Sequence, residues 1–110
     1  MHRAIKVNVV VWHDKTSWIA QGLEFDIAVS ADAIDELQYQ FERCVVGHIA
    51  ASVRSGGEPL LDVPPAPQKF WDLHRDGREI ELRPVSRFMV SEAPDIDFTI
   101  EGFKLAAQAS

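Results

Sequence analysis

Apolar and polar positions change period twice along this chain, and the changes mark out its elements. Residues 4–12, "AIKVNVVVW", are rich in β-branched side chains. Val7, Val9 and Val11 share one face and Lys6 and Asn8 the other, which predicts a strand. "HDKTS" supplies a polar turn, and Trp18 to Phe25 reads as the returning strand. Gly22 within it marks a bulge or the close approach of another backbone. After a Glu24-Phe25-Asp26 bend, Ile27 to Val29 is a short third strand.

At Ser30 the period of two ends. Apolar residues then fall at Ile34, Leu37, Phe41, Cys44/Val45, His48/Ile49 and Val53, a single helical stripe. Ser30 is the expected N-cap, its hydroxyl accepting a backbone N–H, with Asp32 favourably placed in the first turn. Gly47 is tolerated inside the helix at about 1 kcal/mol relative to Ala, as a site for close packing. The helix is expected to end near Ser55, before Gly56-Gly57. Residues 58–67, "EPLLDVPPAP", hold four of the six prolines and predict an extended, partly polyproline connector. "QKFWDLHRDG" predicts a short helix or turn with Phe70, Trp71 and Leu73 docking inward. Arg78 to Val85 alternates, with Ile80 and Leu82 inward, and Ile96, Phe98 and Ile100 are in phase in a final strand.

The fold class expected is therefore α+β: a β-β-β-α two-layer sandwich, a long helix on an antiparallel sheet, with an extended connector and one or two further strands. A chain of 110 residues suits one domain. Its core is expected over 4–54, its connector over 58–67 and its C-terminal strands over 78–101.

The wording "WIAQGLEFDIAVSADAIDELQYQFE" resembles the HicB-like family, an antitoxin-type fold similar to a truncated RNase H domain. There a Tyr or Trp strand runs into an Ala-Gln-x-Leu-Glu-Tyr/Phe-Asp-Ile segment, then a polar turn and a helix opening with Thr or Ser. The matching positions are Trp18, Ala20-Gln21, Leu23-Glu24-Phe25-Asp26-Ile27, Ser30, Asp35-Glu36-Leu37 and Phe41. The resemblance spans residues 4–54, about half the chain. The family's glycine before the helix is missing from "VSAD", and no DNA-binding helix-turn-helix pattern follows Gly77. The resemblance thus implies a fold and homo-oligomerisation, as in stand-alone members, more than operator binding.

Charge narrows the partner. Net charge is −6, with 17 acidic and 11 basic residues, against the basic surface that phosphate binding needs. Direct nucleic-acid binding is not expected; a basic protein partner is compatible. Cys44 is the only cysteine, so no internal disulfide can form. "MHRAIKVNVVVWHDK" is too short and polar in its apolar run for a signal or a membrane span, and a cytoplasmic protein is expected; a bacterial one is what the resemblance implies.

Candidate chemistry is sparse. Glu24, Asp26, Asp32, Asp35 and Glu36 could assemble a metal site, but a solvated bend and helix start explain the same acids. Cys44 and His48, one turn apart, could pair as a nucleophile, but a half-buried thiol in the packing face explains them too. Trp12, Trp18, Phe70, Trp71 and Phe88 could form a base-stacking platform or, more simply, core and interface. The expectation is a non-enzymatic module with no catalytic, cofactor or metal residues. Its partner or oligomer interface is expected at Phe70, Trp71, Ile96, Phe98 and Ile100, which would cover or extend a sheet edge in the same chain or a second one. The alternatives are an antitoxin neutralising a small basic RNA-cleaving toxin and a degenerate RNase H-like nuclease.

Overall fold

The computed structural model describes residues 3–81, 88–90 and 93–107. Strands β1 (Arg3–Asp14) and β2 (Ser17–Gly22) form a hairpin with Lys15-Thr16 at its tip. Asp14 pairs with Ser17, and the Asp14 carboxylate accepts the Lys15 N–H at 2.8 Å. β3 (Ala28–Ala31) returns antiparallel along β2, and α1 (Ile34–Arg54) follows as one unbroken rod. Next come α2 (Gln68–Asp76), the two-residue β4 (Arg78–Glu79), β5 (Phe88–Val90) and the long β6 (Ala93–Leu105).

The fold is α+β, but its sheet is mixed, which corrects the antiparallel expectation. Strand order is β3-β2-β1-β6-β4, with β5 also on β6. β6 lies parallel to β1, Val7 beside Ile100, and antiparallel to β4 and β5. Hairpin logic holds only for consecutive strands; β6 reaches β1 after two helices, and such a crossover permits parallel pairing.

α1 lays Leu37, Phe41, Val45 and Ile49, all essentially inaccessible, over Val7, Val9, Val11 and Ala20 from the hairpin and Ile96, Phe98 and Phe103 from β6. Burial of each such side chain contributes about 1.5–3 kcal/mol, so this stripe outweighs local propensity. The rings of Phe41 and Phe98 meet at 6.5 Å. A Cβ on Gly22 would lie 2.9 Å from both the Phe25 carbonyl and the Phe41 ring, so close approach is why glycine stands there. Gly47, by contrast, is exposed and a Cβ there would meet nothing within 4 Å, so the expected close packing is absent within the chain.

The start of α1 also departs from expectation. Ser30 pairs with Ile19 inside β3 and is not a cap; the N-cap is Ala33, without a side-chain hydrogen bond. The ladder extends the strand past Ser30 and carries it away from the helix. Asp35 and Glu36, rather than Asp32, supply the negative charge of the first turn. The far end agrees with expectation: Ser55 caps, and Gly56 takes the left-handed conformation at φ 82°.

The connector is extended only in its second half. Residues 59–62 turn, with Leu60 at φ 63° and its side chain buried in the core. Pro64 and Ala66 then run along the bend after β2, through Asp26 N–H to Pro64 O at 2.7 Å and Ala66 N–H to Leu23 O at 2.8 Å.

A second, smaller cluster covers part of the other sheet face. Val10, Leu23 and Ala106 are buried beneath Trp12, Phe70 and Trp71, so α2 adds a partial third layer to the expected two. Between Val7 and Val9 the β1–β6 register slips in a bulge, so that Glu101 and Gly102 oppose Asn8 alone. The core phase of β6 shifts there from Ile96, Phe98 and Ile100 to Phe103 and Leu105. Of the strand expected over Arg78–Val85, β4 keeps two residues; Ile80 packs half-buried on the core, and Leu82 to Val85 lie outside the described residues.

Candidate interaction surfaces

The five side chains expected to form an interface are all used inside the chain. Ile96 and Phe98 are buried in the main core, and Ile100 packs half-buried against it. β6 is not an edge: β1 flanks one side, and β5 and β4 flank stretches of the other. Phe70 stacks on Trp12 with ring centroids 5.5 Å apart and planes within 20°, and the Trp71 indole N–H donates to Ala66 O at 3.1 Å. His74 Nε2 lies 3.0 Å from the Gly102 carbonyl oxygen, holding α2 to the bulge. Leu73, expected to dock inward, is exposed.

The other constellations dissolve in the same way. Glu24 accepts from Asn8 and Asp26 from Gln21, while Asp32, Asp35 and Glu36 are exposed near the start of α1. Among the described residues no three His, Cys, Asp or Glu side chains are grouped to hold a metal ion. Cys44 is half-buried, and burial pushes its thiol pKa up, which disfavours the nucleophilic thiolate; His48 is exposed. Trp12, Phe70 and Trp71 gather over the small outer cluster, whereas Trp18 packs against His13 and the α1 core, so these four do not form one platform; the Phe88 side chain lies outside the described residues.

The buried polar side chains among the described residues are Gln21 on β2 and two on one flank of α1. Gln38 and Glu42, one turn apart, are 8% and 6% exposed. Burial raises the Glu42 pKa, and a hydrogen bond from Gln38 partly opposes the rise. Gln38 also lines a cavity of about 150 Å³ with Ile34, Asp35, Ile80, Glu81 and Phe103, which places this flank toward β4 and β6. A shallower groove of about 280 Å³ lies beyond α2, between Asp76, Arg78 and Leu105 to Ala107.

Sequence reasoning overlooked one end of the sheet. Among the described residues β3 closes one side, and β4 and β5 lie along the other. β4 exposes Arg78 and Glu79, charged residues of the kind that blunt an edge. β3 is Ala28-Val29-Ser30-Ala31, with no charge, no proline and no register shift. Gly22 N–H donates to Ile27 O at 2.8 Å, making those two a hydrogen-bonded pair. By the alternation of an antiparallel ladder, Val29 and Ala31 turn their backbone groups toward β2, and Ala28 and Ser30 turn theirs outward. Both outward residues are exposed. The clue was present in the sequence as four uncharged residues between Asp26 and Asp32, but only strand order identifies them as an edge.

No helix among the described residues is long and apolar enough to cross a membrane. Comparison of the chain with protein-family models, with curated proteins and with solved structures gave no match in any of the three.

Proposed function

We propose that this protein is a non-enzymatic protein–protein interaction module of HicB-like fold that associates with itself. One observation carries the reading: the sheet ends in an uncharged strand whose Ala28 and Ser30 backbone groups face outward. Such an edge is a template for another strand. The order strand, strand, short strand, helix supports the family part, with Ala20-Gln21 closing β2, Leu23 to Ile27 forming the bend and α1 following. Sedimentation at micromolar concentration tests it. A dimer or larger species is expected; a monomer alone overturns the self-association.

A second reading, antitoxin proper, draws on the net charge of −6 and the exposed Asp32, Asp35 and Glu36. These carboxylates would steer a basic RNA-cleaving protein onto the start of α1. A short basic reading frame beside the gene, whose toxicity co-expression relieves, is its expected signature. A neighbourhood without such a frame counts against it.

A further inference from the structure

We infer that two copies of this chain join through β3, edge to edge about a two-fold axis, making one continuous sheet. The inference rests on the self-association reading above and names its surface.

The occupant follows from charge and geometry together. A basic partner would need carboxylates at the contact, and Ala28 to Ala31 provides none. A copy carrying the same net charge of −6 meets least repulsion at an uncharged strip, and this edge is one. Antiparallel pairing of a strand with itself is self-complementary, the isologous contact a two-fold demands. With Ser30 opposite Ser30 of the second copy, Ala28 falls opposite Asp32 and Asp26 opposite Ile34. No carboxylate then faces another directly, and Ser30 N–H and C=O find partners on the outward side.

Sedimentation equilibrium of Ser30→Lys and Ala28→Lys, both on exposed residues of β3, tests this. Both side chains would point into solvent in the monomer, so the circular dichroism of the monomer is expected to be unchanged. Each is expected to weaken association at least about tenfold, equivalent to about 1.4 kcal/mol. Glu79→Lys, on the β4 edge, is expected to leave it unchanged. Association that both variants leave intact overturns the β3 interface while self-association stands. A wild-type chain that remains monomeric overturns both, including the case in which β3 instead takes up a strand from another protein.

Discussion

Glu24 holds Asn8 at two points with one carboxylate: Oε1 accepts the Asn8 backbone N–H at 2.7 Å, and Oε2 accepts the side-chain Nδ2 at 2.6 Å. Leu23 N–H also donates to the Asn8 carbonyl at 3.0 Å. The Asn8 backbone faces β2, where the Leu23 carbonyl opposite it accepts instead from Ala66 N–H, so the Glu24 carboxylate takes the Asn8 N–H. Hydrogen bonds to a charged group contribute about 1.5–3 kcal/mol. Glu24→Ala is expected to destabilise by about that amount, seen as a lower urea midpoint with an unchanged slope. Glu24→Gln keeps one acceptor and is expected to recover part of the loss.

Gly22 and Gly47 predict opposite outcomes for the same substitution. Gly22→Ala drives a methyl group into the Phe25 carbonyl and the Phe41 ring, each 2.9 Å from the ideal Cβ. Overpacking of this kind costs about 1–3 kcal/mol. Gly47→Ala meets open space within the chain and is expected to stabilise the monomer by up to about 1 kcal/mol through helix propensity. Thermal melts of the two variants, at a concentration where association is absent, separate these cases.

Glu42 makes stability depend on pH in an unusual direction for an acid. Its folded-state pKa lies above the ordinary 4.5 because burial penalises the carboxylate. The folded chain therefore binds this proton more tightly than the unfolded chain. The stability contributed by Glu42 is complete below the ordinary carboxylate range and is lost as pH rises through its raised folded value. Glu42→Gln stays neutral throughout. It is expected to raise the melting temperature at pH 7 relative to wild type and to have a smaller effect below pH 4.5. An equal effect of Glu42→Gln at both pH values would remove the titration argument.

Phe70 helps hold α2 on the sheet, through its stack with Trp12 and the small cluster that it shares with Trp71. Aromatic pairs contribute about 0.5–1.5 kcal/mol beyond buried area. Phe70→Ala is expected to loosen α2 while α1 and its core persist. The measurement is amide exchange: faster over residues 68–76, unchanged over Leu37 to Ile49. A red shift of tryptophan emission, from Trp12 and Trp71 gaining water, is expected alongside it.

What the sequence alone determined are the parts that depend on short-range period. Alternation at Val7, Val9 and Val11 and the stripe from Ile34 to Val53 each demand one buried face, and the fold supplies it. Gly56 and the Asp76-Gly77 turn were legible for the same reason, since their chemistry is local. Tertiary structure decided everything that depends on which strand lies beside which. Ser30 could cap a helix or extend a ladder, and pairing with Ile19 chose the ladder. Ile96, Phe98 and Ile100 could line an edge or a core; the crossover placed β6 between β1 and β4 and chose the core. The same choice left β3 at the end of the sheet. Alternation specifies a strand's face but not its neighbours, because ladder hydrogen bonds join backbones that are the same in every residue but proline.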